Sequence, residues 1–239
     1  MEKNKPFEHY SESDWNKRMT LAITHSGFTW TKHLRCLATL IYNDLGCLLT
    51  QSANFFVGRL RPAYRLKWDW WNRLDLKEGN HSDQEPHIYL GAFPIKKRLG
   101  KFHLRHDCHY LASQLNVKAV LSLVEPYEMN VSTGLMNPVQ SSDWKKQGIC
   151  FLQLPTPDFT PLKKETIDEA AAFIHWNVKM NRNIYVHCKA GRGRSALVLT
   201  CYLMKYRSMT LEQAGRFIKK TRPQVNLNFI KHCISRFYE

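Results

Sequence analysis

From residue 87 onward, apolar and polar positions alternate in short blocks of two kinds. His87–Leu90, Val117–Val124, Ile149–Leu154 and Ile184–Val186 are compact apolar runs bounded by turn residues, the pattern of buried strands. Between and after them the spacing becomes helical, around 106–115, 163–180, 196–206, 210–221 and 228–238. Ile167, Ala170, Ala171, Ile174 and Val178 form one such face, and Phe229, Ile230, Cys233, Ile234 and Phe237 another. Thr210 with Gln213 predicts a capping box, and Arg222-Pro223 ends the helix that follows it. Alternation of this kind predicts an α/β fold, a central mainly parallel sheet flanked by helices.

The first third reads differently. Met1 to Asp14 is polar and carries Glu2, Glu8, Glu12 and Asp14, which argues against a secretory signal or an acid-poor transit peptide. Leu34, Leu37, Ile41, Leu45 and Leu48 line one helical face, but Asn43, Asp44, Gln51, Ser52 and Asn54 interrupt the stretch. Polar interruptions are costly in a bilayer, so this reads as helix packed on the core or lying at a membrane surface rather than as a transmembrane span. Arg59 to Arg73 holds five basic residues and one acidic, interleaved with Tyr64, Trp68, Trp70 and Trp71. That mix suits a bilayer interface and a packed helix equally. The expected division is an N-terminal helical, basic and aromatic extension over 1–69 and a catalytic domain over 70–239.

Chemistry concentrates in His187-Cys188-Lys189-Ala190-Gly191-Arg192-Gly193-Arg194-Ser195. A strand precedes this run and a helix follows it, so its backbone amides can converge on one anion. A thiol at a helix N-terminus beside a guanidinium loses its proton more easily than a free one. Gly191 and Gly193 allow the close, positive-φ backbone of a wrapped loop, and Arg194 can grip two phosphoryl oxygens. Ser195 can donate to the sulfur, and His187 is expected to orient Cys188 rather than act as a base. A phosphate cradle with a nucleophile in its floor also needs an acid. Leu154-Pro155-Thr156-Pro157-Asp158-Phe159-Thr160-Pro161 follows a strand and supplies Asp158 as acid, then base. Thr160 is the better candidate to cap the next helix, which leaves Asp158 for chemistry.

His-Cys-x5-Arg-Ser resembles the signature of the cysteine-dependent dual-specificity phosphatase superfamily. Tyr89-Leu90-Gly91-Ala92-Phe93-Pro94, Val124-Glu125-Pro126-Tyr127-Glu128 and Pro155-Thr156-Pro157-Asp158 extend the likeness to its phosphatidylglycerophosphate phosphatase, or mitochondrial protein tyrosine phosphatase-like, branch. Val124 departs from the Asn usual there. The resemblance implies a metal-free, cofactor-free phosphomonoester hydrolase. In it Cys188 is the nucleophile, Arg194 the phosphate clamp, Asp158 the acid/base and Ser195 the thiolate helper. Glu125, Tyr127 and Glu128 would shape the substrate pocket. Lys189 and Arg192 also resemble the extra cations of phosphoinositide 3-phosphatase loops, which suits an anionic lipid bearing more than one phosphate. A protein phosphatase acting on phosphotyrosine, phosphoserine and phosphothreonine is the alternative. A catalytically weak phosphate-binding module is a further one.

Composition narrows the partners. The net charge of +15 is compatible with nucleic acid, but no aromatic platform, zinc module or recognition-helix pattern accompanies it, so an anionic membrane face is expected instead. Seven cysteines with scattered spacing make no disulfide framework, and a nucleophilic thiol requires a reducing compartment. The expected setting is cytoplasmic with peripheral membrane association, and the chain is expected to act as a monomer. His103, His106, His109 and Cys108 lack a second ligand cluster and read as a polar helix surface, not a metal site.

Overall fold

The computed structural model describes residues 69–76, 86–96, 98–99, 104–129, 137–158 and 160–238, with helical positions at 34, 38, 41 and 45. Strands β1 (Trp71–Leu74), β2 (Ile88–Gly91), β5 (Val117–Ser122), β6 (Cys150–Gln153) and β7 (Asn183–His187) form one sheet in the order β1-β2-β7-β5-β6. The three pairings from β2 to β6 are parallel, and only edge strand β1 runs antiparallel, against β2. Strands β3 (Arg98–Leu99) and β4 (Leu104–Arg105) make a separate hairpin. The helices are α1 (Asp107–Ser113), α2 (Pro126–Met129), α3 (Ser141–Lys146), α4 (Lys164–Lys179), α5 (Arg194–Tyr206), α6 (Leu211–Thr221) and α7 (Leu227–Tyr238).

The period of two along each strand sorts the core into two layers. Ile88, Leu90, Ala119, Leu121, Ile184 and Val186 face α4 to α7, meeting Ala170, Ile174, Leu197, Ile218 and Ile230. Tyr89, Val120, Phe151 and Tyr185 face the other way, against Cys108 and Leu111 of α1 and Trp144 of α3. The capping box of α6 is present: Gln213 N–H donates to Thr210 Oγ1 at 3.2 Å and Thr210 N–H to Gln213 Oε1 at 2.8 Å.

Two expectations are corrected here. Trp70 and Trp71 belong to no bilayer-facing helix: Trp70 is 3% exposed and Trp71 opens β1, whose pairing with β2 the local pattern does not encode. Thr160 does not cap α4, whose N-cap is Lys163; its hydroxyl donates to the Pro157 carbonyl at 2.9 Å and tightens the loop before the helix. Tyr64, Trp68, Leu37 and Leu48 lie outside the described residues. Leu34, Ile41 and Leu45 are helical and exposed.

Register aligns the carboxyl ends of the parallel strands, pairing Gly91 with His187, His187 with Ser122, and Ser122 with Gln153. Every loop that leaves those ends emerges on one edge of the sheet. Ligand sites of parallel sheets form on that edge.

Candidate active site

Residues 188–193 connect β7 to α5 by turning every carbonyl away from the loop's interior. Leu123 N–H donates to the His187 carbonyl at 2.9 Å, Phe93 N–H to that of Lys189 at 3.0 Å, and Asn226 N–H to that of Arg192 at 3.0 Å. The Cys188 carbonyl accepts from His187 Nδ1 at 3.2 Å. Arg222 takes the remaining two: Nε donates to Gly191 at 2.8 Å and an Nη to Ala190 at 3.1 Å. With six successive carbonyls engaged outward, the amides are left to the concave side. Gly193 caps α5 without any side-chain acceptor, so the helix N-terminus also opens there. Gly191 has φ +68°, and a Cβ on it would press into the Gly91 carbonyl, so no other residue fits.

Cys188 sits in the floor of this cradle, 3% exposed. Burial alone would push its thiol up. The Arg194 guanidinium and two hydrogen bonds from Ser195, through its hydroxyl and its amide, outweigh that, against an opposing push from Asp158, and hold it below the ordinary thiol value. The Ser195 Oγ–Cys188 Sγ distance is 3.3 Å. Cys108 and Cys201 behave oppositely. Burial, with Asp143 and Asp107 nearby, pushes Cys108 up to about 12. Burial, with Asp168 and Cys233, does the same to Cys201. The site, not burial, selects Cys188. Burial, aided by the Arg194 charge and opposed by the hydrogen bond with Cys188, pushes His187 down to about 3, so its imidazole is neutral at physiological pH and donates from Nδ1.

Arg194 is 2% exposed and spans three loops. One Nη donates to the Thr156 carbonyl at 2.6 Å, the Leu123 carbonyl at 3.0 Å and Glu128 Oε2 at 2.9 Å; the other reaches Glu128 Oε1 at 3.3 Å and Asp158 Oδ1 at 3.2 Å. The neighbouring carboxylates and the Cys188 sulfur hold the guanidinium charged despite its burial. Asp158 therefore stands directly over the arginine that follows the nucleophile.

A cleft of about 370 Å³ opens above the sulfur. Asp158, Cys188, Lys189, Ala190, Arg192, Gly193 and Arg194 line it together with Gln224, Asn226 and Phe229. Of the three residues expected to shape the pocket, none lines this cleft. Glu128 is 1% exposed beneath Arg194, Tyr127 is buried, and the Glu125 amide donates to Glu128 Oε2 at 2.9 Å. Glu128 thus braces the guanidinium from behind. Lys189, expected as an extra cation for the substrate, lines the cleft but is 4% exposed, its ammonium paired with Asp158 Oδ2 at 2.7 Å and Glu128 Oε1 at 3.2 Å. Arg192 is half-buried at the wall of the cleft.

Arg222, which the sequence marks only as the end of a helix, is fully buried and ties the loop to the Asp69 carbonyl at 2.8 Å and Asn72 Oδ1 at 2.7 Å. Gln224 and Asn226 carry no sequence signal of a site beyond their position after the proline that ends α6, and Phe229, expected on the apolar face of the last helix, lines the cleft.

Comparison with known proteins places the chain in a family. The family model "Dual specificity phosphatase, catalytic domain" matches residues 109–237. The phosphatidylglycerophosphate phosphatase PTPMT1 of Arabidopsis thaliana is 34% identical over 170 residues, 70% of this chain and 42% of that protein. The human phosphatidylglycerophosphatase and protein-tyrosine phosphatase 1 is 32% identical over 162 residues, 66% of this chain and 68% of its own. The chain thus spans less than half of the first plant relative, and 62% of the plant PTPMT2 protein. Among solved structures, PTPMT1 in complex with PI(5)P superposes with a TM-score of 0.52 at 27% identity, over 71% of this chain and 99% of that one.

Proposed function

The chain belongs to the dual specificity phosphatase family, and from that premise we propose that it hydrolyses the phosphomonoester of an anionic phospholipid headgroup through a phosphocysteine. The observation that carries the reading is a contrast among the described thiols: Cys188, in its cradle of loop amides, is held below its ordinary value, whereas Cys108, Cys201 and Cys233 are pushed up. Its thiolate attacks phosphorus while the loop amides and Arg194 hold the equatorial oxygens. The P–O bond breaks with its electron pair on the leaving oxygen, and Asp158 protonates that oxygen. Asp158 then takes a proton from water, which attacks phosphorus and returns the sulfur as thiolate. Ser195 steadies the departing sulfur, and His187 fixes the Cys188 carbonyl. Glu128 acts behind the site, holding Arg194.

Support for a lipid comes from the names of the relatives, phosphatidylglycerophosphate phosphatases, and from the phosphoinositide bound by the solved neighbour. The cleft, at about 370 Å³, has room for a headgroup around the phosphate. In this reading residues 70–239 are the catalytic unit, acting as a monomer, and 1–69 an extension that meets an anionic membrane peripherally. The net charge of +15 and the exposed Leu34, Ile41 and Leu45 favour that contact. Among the described residues no helix is long and apolar enough to cross a membrane. The nucleophile needs a reducing compartment.

The test is initial phosphate release from vesicles of phosphatidylglycerophosphate or each phosphoinositide, against phosphotyrosyl and phosphothreonyl peptides, with Cys188→Ser as blank. Faster Cys188-dependent turnover of one lipid is expected. Faster turnover of the peptides would make the chain a protein phosphatase, and phospholigand binding without turnover would make it a binding module.

A further inference from the structure

Lys189 follows the nucleophile directly, yet its ammonium is sunk between two carboxylates from different loops. Glu128 Oε1 lies beneath it at 3.2 Å and Asp158 Oδ2 above it at 2.7 Å, with the lysine side chain 5% exposed and that of Asp158 24% exposed. Asp158 has a second anchor through its other oxygen, Oδ1, at 3.2 Å from Arg194. The two anchors differ in what a substrate does to them. Arg194 is the cation that a phosphoryl group must take over, whereas Lys189 is shielded by the acids on either side.

We infer that Lys189 is a positioning residue for the acid: it is the pivot on which Asp158 turns from Arg194 to the leaving oxygen when phosphate binds. The inference rests on the hydrolase reading above. Phosphoryl oxygens displace Oδ1 from the guanidinium, Oδ2 stays on the ammonium, and the freed Oδ1 takes up a proton from bulk solvent and delivers it to the leaving oxygen. Lys189 keeps its three protons throughout; the proton that leaves comes from Asp158. Because one peptide bond separates Lys189 from Cys188, the pivot fixes the acid relative to the nucleophile, and Glu128 fixes the pivot. Lys189 therefore spends its charge on the enzyme's own acid, and a second phosphate on a substrate is left to Arg192 on the cleft wall.

Leaving-group dependence separates this role from a structural one. Wild type, Lys189→Met, Asp158→Asn and the double variant are compared on aryl phosphates graded from p-nitrophenyl to phenyl, and on the lipid. Lys189→Met is expected to lose about 100-fold in kcat on the poorest leaving groups, within the range supplied by a general acid, and only a few-fold on the best. Asp158→Asn is expected to show the same slope, and the double variant to be no slower than Asp158→Asn alone. If Lys189→Met does not fold, Lys189→Gln, polar and neutral, is judged by the same criteria. An equal loss on every leaving group, a rise in KM with kcat unchanged, or additive losses in the double variant would overturn the inference. Wild-type activity that survives Cys188→Ser, or none on any phosphate ester, would instead overturn the hydrolase reading beneath it.

Discussion

Replacing Arg222 by methionine isolates the phosphate loop from its support without changing any side chain that lines the cleft. Four hydrogen bonds are lost, to the Gly191 and Ala190 carbonyls, the Asp69 carbonyl and Asn72 Oδ1. The side chain is fully buried at the junction of α6, β1 and the loop, so water does not readily replace it. At about 1 kcal/mol for each hydrogen bond, the loss is about 4 kcal/mol. For a chain of this size that corresponds to roughly 8–16 °C in the thermal midpoint. Arg222→Lys keeps the charge but not the planar fork, and is expected to recover less than half of the loss. Two of the freed carbonyls belong to the cradle, so inorganic phosphate should also bind more weakly to the variant under conditions where it is still folded. Thermal unfolding and phosphate titration calorimetry read the two effects. A midpoint and a phosphate affinity both equal to wild type would refute the claim that outward carbonyls, held by Arg222, shape the cradle.

Three further outcomes follow from the same geometry. Alkylation of Cys188 by iodoacetamide should titrate below the ordinary thiol range, and Ser195→Ala should move its midpoint upward; an unmoved midpoint would contradict the hydrogen-bond account. His187 binds a proton with a pKa near 6.5 when unfolded and about 3 when folded, so as pH falls from 6.5 the unfolded chain gains a proton the fold refuses. Stability should fall by up to about 1.4 kcal/mol per unit over that window, and His187→Asn should flatten the dependence measured by denaturant melts. Gly191→Ala should cost about 1–3 kcal/mol through its positive φ, with further loss from collision with Gly91, and should abolish phosphate binding before it abolishes folding. Calorimetry on the soluble variant checks it.

What the chain reveals locally and what it hides divide along a physical line. Strands β5 and β7 are legible because burial on both faces makes them continuous apolar runs, and α6 because its capping box is written in four adjacent residues. Trp71–Leu74 looks like the end of a basic, aromatic surface; it is a strand only because β2 offers it an edge. Cys188, Arg194 and Ser195 come together through one short turn, so spacing alone brings them near. Lys189, Glu128 and Arg222 were opaque for the opposite reason. Each takes its meaning from loops 30 or more residues away, and a charged side chain in isolation reads as solvated or ligand-facing. Their burial is a property of the assembled edge of the sheet.

The central claim is that turnover passes through phosphorus on Cys188. The direct measurement is rapid acid quenching of the enzyme during hydrolysis of phosphatidylglycerophosphate vesicles, followed by mass spectrometry of the peptide that contains Cys188. One phosphoryl group on that peptide, absent from Cys188→Ser, formed no more slowly than the lipid turns over and steady while turnover lasts, is the predicted result. Steady turnover with the Cys188 peptide unmodified, or an undiminished rate in Cys188→Ser, would contradict it.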